Sequence, residues 1–153
     1  MDKQRKLDEL YMNMALEMAK ISYGIRAKVG AILVTEHGVV LTGVNGLPNA
    51  LGNVLEDKEY TDDLGGGWWL VTKPEVIHAE LNCLLKAARE GVSVINSTVY
   101  ITMSPCAQCA SMLASVGVKR VVFLNEYRNI SAISTLRDCG VIVEHMKDFE
   151  YEV

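Results

Sequence analysis

Two short segments carry the residue types best able to do chemistry: His78-Ala79-Glu80 and Pro105-Cys106-Ala107-Gln108-Cys109. Cys106 and Cys109 are three positions apart, so they share one face of a helix and can grip one ion. At a helix start, free backbone N–H groups and the positive end of the dipole favour thiolates, the form that zinc binds. His78 supplies a third ligand from a neighbouring helix. Three protein ligands leave a tetrahedral ion one open position, the arrangement of catalytic rather than structural zinc. Glu80 lies two residues beyond His78, ~200° around a helix. It is therefore better placed to overhang the open position and handle protons there than to join the ligands. A water on zinc has its pKa lowered to about 7, and a carboxylate in reach can take its proton and deliver it to a substrate.

Other uses of the same residues stand beside this one. A Cys-x-x-Cys also serves redox chemistry, which does not require His-Ala-Glu 28 positions upstream. A closed structural zinc site would need a fourth ligand from Cys83, Cys139, His37 or His145. Cys83 falls on the apolar side of its helix and reads as core. Cys139 falls in a turn, His37 in a hairpin turn, and His145 near the end of the last strand. The count of ligands favours one catalytic zinc per chain.

These residues need a scaffold. Leu7, Leu10, Tyr11, Met14, Met18 and Ile21 recur at helical spacing and predict a first helix over 2–22. Residues 29–34 and 39–44 read as an antiparallel strand pair turned by Glu36-His37-Gly38. Helical spacing returns over 78–91 and ends at Gly91. Strand 98–103 follows, then a helix opened by Pro105 and closed by Gly117. Strand 120–124, helix 130–138 and strand 141–145 complete the chain. The order αββαβαβαβ implies a three-layer α/β/α fold on a five-stranded mixed sheet, mostly parallel, with helices on both faces. Residues 51–75 break the pattern with Gly65-Gly66-Gly67, the acids Glu56, Asp57, Glu59, Asp62 and Asp63, and Trp68-Trp69. They read as a long functional or mobile loop, or as a plain solvated insertion.

The 153 residues suit a single domain, 1–153, large enough to hold a core without disulfides. The net charge of −4 argues against a nucleic-acid wrapper and leaves room only for local phosphate recognition. No apolar run approaches the ~20 residues that span a bilayer. The charged start, Met1 to Lys6, has no apolar stretch behind it, so no secretory signal is expected. A cytoplasmic protein without membrane or nucleic-acid partners is the expectation.

His-x-Glu with Pro-Cys-x-x-Cys is the signature of zinc-dependent base deaminases. The chain resembles the deoxycytidylate (dCMP) deaminases of the cytidine deaminase-like superfamily over roughly residues 7–146. Gly43-Val44-Asn45-Gly46-Leu47-Pro48 is similar to their Gly-Tyr-Asn-Gly-x-Pro segment, Asn82 completes His-Ala-Glu-x-Asn, and Val29-Gly30-Ala31 resembles their first strand. Val44 in place of tyrosine, Ser104 before Pro-Cys, and the 51–75 insertion depart from the pattern.

The resemblance implies hydrolytic deamination of dCMP to dUMP and ammonia, with Glu80 as proton shuttle. It implies that Asn45 binds the sugar hydroxyl, and that the peptide groups of Ala79 and Ser104 hold the pyrimidine edge and exocyclic amine. Tyr127 would border the sugar-phosphate end. Arg26, Lys28 and Arg128 are the candidate phosphate cations, Arg26 foremost because a guanidinium grips phosphate bidentately. It also implies a homo-oligomer, a hexamer, activated by dCTP and inhibited by dTTP. Gly43, Asn45, Gly46 and Arg128 would contribute to the effector site, and Mg, near the acids of 56–63, would accompany a triphosphate. Cytidine, guanine, riboflavin-precursor and tRNA adenosine deaminases share the zinc motif, and a non-catalytic nucleotide sensor could reuse the scaffold. The acidic charge disfavours the tRNA enzymes, and an intact Glu80 disfavours the sensor.

Overall fold

Strand residues alternate between two faces, and the burial follows that alternation. Ile32, Tyr100 and Val122 pack on one side with Met12 and Ala15. Ala31, Leu33, Val99, Ile101, Val121 and Phe123 pack on the other, with Ala79, Cys83, Ala110, Leu113, Ala132 and Leu136. This computed structural model describes residues 2–127 and 130–149. The elements are α1 (Lys3–Ala19), β1 (Gly30–Val34), β2 (Val40–Val44), β3 (Glu56–Thr61), β4 (Gly67–Thr72), α2 (Ala79–Glu90), β5 (Thr98–Met103), α3 (Ala107–Ser115), β6 (Arg120–Asn125), α4 (Ser131–Asp138) and β7 (Ile142–His145). The main sheet runs β2-β1-β5-β6-β7. Helix α1 covers one face, and α2, α3 and α4 cover the other, giving the expected three layers. Strand β1 is antiparallel to β2 and β5, whereas β5, β6 and β7 are parallel. The sheet is thus evenly mixed rather than mostly parallel.

Helix α1 buries a different stripe from the one its large apolar residues suggest. Asp8, Met12, Ala15 and Ala19 face the sheet, while Leu10 is half exposed and Ile21 lies beyond the helix. The cause is a close approach at Gly30, where a Cβ would fall 1.9 Å from the Ala15 carbonyl oxygen. Only small residues fit there, so Tyr11, Met14 and Met18 flank the contact. Asp8 is the polar member of the stripe. It accepts from Tyr100 Oη at 2.7 Å and receives both Arg120 Nη atoms at 2.8 and 2.7 Å. Arg120 also reaches Glu144, tying α1 to β5, β6 and β7.

Residues 51–75 are not a loop. β3 and β4 form an antiparallel hairpin in register from Glu56↔Thr72 to Thr61↔Gly67. The glycines sit at its tip, with Gly65 and Gly66 at positive φ. Tyr60 and Trp68 stack edge to face across the pair, both largely exposed. No helix is long and apolar enough to cross a membrane among the described residues.

Candidate active site

Helix α2 begins where β2 can approach it closely. A Cβ at Gly43 would lie 2.0 Å from the Ala79 oxygen and 2.7 Å from Cys83 Sγ. Gly46 then exchanges two backbone hydrogen bonds with Ile77, the residue before His78, at 3.1 and 2.8 Å. The Asn82 side chain donates to the Val44 carbonyl. His78 is the N-cap of α2, with extended backbone (φ −69, ψ 154). On the neighbouring crossover, β5 ends at Met103, and the Ser104 N–H donates to the Asn125 oxygen at 2.8 Å. Cys106, not Pro105, starts α3: it is the N-cap, and its sulfur accepts the Cys109 N–H at 3.5 Å. Pro105 lies buried just outside the helix.

The two helix starts therefore face each other. His78 Nδ1 lies 3.5 Å from Cys106 Sγ and 3.5 Å from Cys109 Sγ. These three atoms are the one group able to share a metal ion among the described residues. Cys109 is buried, Cys106 half-buried and His78 exposed. Glu80, in the first turn of α2, is 3% exposed. Burial pushes its carboxyl up from the usual range, against hydrogen bonding from Cys109 and the charge of His78. Burial also pushes the Cys109 thiol up, and Glu80 and Cys106 beside it push further. Three acidic groups crowded in low dielectric are the environment that a dication relieves. Two sulfurs and one imidazole nitrogen converging, with no fourth donor grouped with them among the described residues, fit zinc with an open position. Neither Cys83 nor His145 joins them. Burial pushes the Cys83 thiol up to about 12, and that thiol donates to the Ala31 carbonyl, a core role.

A cleft of about 500 Å³ opens over this group, and His78, Ala79, Glu80, Ser104, Cys106 and Tyr127 border it. Arg26 and Asn45 line it as well. The Asn45 amide is largely engaged: Oδ1 accepts the Val29 N–H and Nδ2 donates to the Ala27 oxygen, both at 2.9 Å. One N–H and one lone pair remain for a ligand. Ser104 Oγ accepts the Tyr127 N–H at 2.6 Å, which fixes the tyrosine backbone at the rim. Lys28 is exposed and outside the cleft lining, Gly43 is buried beneath Ala79, and Arg128 lies outside the described residues. The sequence reading missed Thr72, Val76, Met103 and Glu126 on the cleft wall, and Glu56 behind it. Of the acids in 56–63, Glu56 turns inward and Asp57 pairs with Lys73 at 3.8 Å.

Residues 5–125 match the family described as the cytidine and deoxycytidylate deaminase zinc-binding region. A deoxycytidylate deaminase of Mycobacterium phage D29 is 34% identical over 126 residues, covering 78% of this chain and 94% of that protein. The dCMP deaminase of cyanophage S-TIM5, solved with dCMP and dUMP, superposes with a TM-score of 0.79 at 39% identity, covering 95% of this chain and 99% of that one. A deaminase/reductase from Thermotoga maritima shares the fold at 20% identity, with a TM-score of 0.66, over 93% of this chain and 37% of its own.

Proposed function

The chain belongs to the cytidine and deoxycytidylate deaminase family, and we propose that it acts as a single deaminase domain converting dCMP and water to dUMP and ammonia. The observation that carries this is one cleft lined by both the buried carboxylate Glu80 and the exposed cation Arg26. Proton transfer and phosphate recognition then belong to one ligand.

His78, Cys106 and Cys109 hold the zinc, which when bound supplies polarisation of the attacking water. Glu80 does the proton work. Its burial favours the protonated carboxyl, so it readily takes a proton from the water and gives it to N3 of the pyrimidine. A second proton passes to the exocyclic nitrogen, which leaves as ammonia. The Ala79 N–H, in the first turn of α2, has no intrahelical acceptor and is free for the pyrimidine edge. The Ser104 N–H is already spent on Asn125, so its carbonyl is the group left for the exocyclic amine. Asn45 offers its remaining amide hydrogen to the sugar hydroxyl, Tyr127 walls the sugar, and Arg26 takes the 5′-phosphate.

The proposal extends to a cytoplasmic homohexamer activated by dCTP and inhibited by dTTP, with Mg accompanying the triphosphate. Exposed Tyr60, Trp68 and Trp69 on the hairpin support a subunit interface, since aromatics anchor interfaces. The Gly43–Gly46 segment reaches His78 through the Gly46–Ile77 bridge, so an effector bound there acts on a ligand loop. Assay of dCMP, CMP, deoxycytidine and guanine, each with and without dCTP and dTTP, tests substrate and regulation together. Dominant turnover of guanine or deoxycytidine would replace the reading.

A further inference from the structure

An exposed arginine is a poor phosphate clamp unless its conformation is fixed before the ligand arrives. Its long side chain loses rotamer entropy when ordered. Arg26 sits in the irregular segment between α1 and β1, which by itself orders nothing. Two residues of the hairpin hold it. Glu56 is 8% exposed, and one oxygen of its carboxylate accepts the backbone N–H of Ile25 at 2.7 Å and of Arg26 at 3.1 Å. Thr72 Oγ1 accepts from Arg26 Nη1 at 3.2 Å. Glu56 and Thr72 are partners on one rung of the hairpin, the rung nearest the body of the protein. A single rung thus holds both ends of Arg26, backbone and guanidinium.

The charges are arranged to leave the cation available. The Glu56 carboxylate is spent on backbone amides rather than on the guanidinium. Among the described residues, Arg26 takes part in no ion pair. Thr72 uses one of five guanidinium donors, and its hydroxyl is neutral, so it orients without neutralising. The next hairpin bond, Lys73 N–H to Leu55 oxygen at 2.8 Å, and the pairing of Lys73 with Asp57 brace the rung.

We infer that Glu56 and Thr72 are positioning residues that preset Arg26 for the 5′-phosphate of the substrate, making the hairpin base part of the specificity machinery. This rests on the dCMP reading above. The test is steady-state kinetics of zinc-loaded protein on dCMP and deoxycytidine, with calorimetric binding of dUMP and deoxyuridine as a readout independent of turnover. Arg26→Ala, Thr72→Val, Thr72→Ser and Glu56→Gln are compared with wild type.

Loss of one net hydrogen bond predicts that Thr72→Val raises KM for dCMP and Kd for dUMP roughly 3- to 10-fold. Its kcat changes less than its KM, the effect on deoxycytidine and deoxyuridine, which lack the phosphate, is smaller than on dCMP and dUMP, and Thr72→Ser restores binding. Glu56→Gln keeps one acceptor oxygen but loses its charge, and weakens phosphate-dependent binding in the same direction. If Arg26→Ala weakens dCMP binding while Thr72→Val and Glu56→Gln match wild type, positioning is refuted and the phosphate role of Arg26 stands. Should Arg26→Ala leave dCMP kinetics unchanged in an active enzyme, the inference falls and the dCMP reading survives. A wild type that fails to deaminate dCMP removes both.

Discussion

Gly43 lies directly against Ala79: a methyl group at position 43 would meet the Ala79 carbonyl oxygen at 2.0 Å. The glycine is there because β2 must touch the start of α2, the turn that presents His78 and Glu80. Gly43→Ala cannot be absorbed by a flexible side chain, since the obstacle is backbone. It should destabilise the fold by roughly 1–3 kcal/mol through overpacking. It should also lower zinc occupancy by displacing His78 from the two cysteines. Denaturant midpoints and metal content of the purified variant check both effects. A variant with wild-type stability and full zinc would refute the close-approach explanation.

Glu80→Gln keeps the shape of the buried side chain and removes its ability to carry a proton. Zinc content should stay at one per chain while kcat on dCMP falls roughly 10²- to 10⁴-fold, the span of general acid–base catalysis. Metal analysis alongside initial rates separates this from loss of the metal. Near wild-type turnover would remove Glu80 as the shuttle.

Chelation of the metal should abolish dCMP turnover, and added zinc should restore it. Cys109→Ala should lose both metal and activity, because the remaining His78 and Cys106 leave an incomplete donor set. Activity surviving exhaustive chelation would contradict a catalytic zinc.

Acid should act on a different part of the molecule. Burial raises the Asp8 carboxyl, but hydrogen bonds from Arg120, Tyr100 and Gln4 and the Arg120 charge outweigh it and hold the group below the usual carboxylate range. A carboxylate depressed in the folded state stabilises above its unfolded pKa of about 3.9, and that contribution is lost as pH falls through the folded value. Thermal midpoints of wild type and Asp8→Asn should therefore differ most near neutral pH and converge below roughly pH 4. A constant gap across that range would mean that Asp8 contributes through packing alone.

The sequence made some of this legible and concealed the rest for physical reasons. His78, Glu80, Cys106 and Cys109 could be read because their roles depend on local spacing at two helix starts. The αββαβαβαβ order was readable because each of those elements carries its own period. The α1 face was misjudged because Gly30 selects Ala15 and Ala19 over the larger Leu10 and Met14. The β3–β4 hairpin was hidden because Tyr60, Trp68 and Trp69 are exposed on it, so no inside–outside alternation marks the strands. Glu56 read as one of a run of acids in an insertion, placed near a magnesium-bound effector, because its partners are backbone amides 30 and 31 positions away.

The ratio of kcat/KM for dCMP to that for deoxycytidine bears on everything above, because the two differ only by the phosphate that Arg26 is proposed to bind. One or two charge-assisted hydrogen bonds at 1.5–3 kcal/mol each predict that dCMP is preferred by roughly 10- to 200-fold or more. The products should be dUMP and ammonia in equal amounts. A ratio at or below one, measured on fully zinc-loaded protein, would contradict this assignment of the cleft.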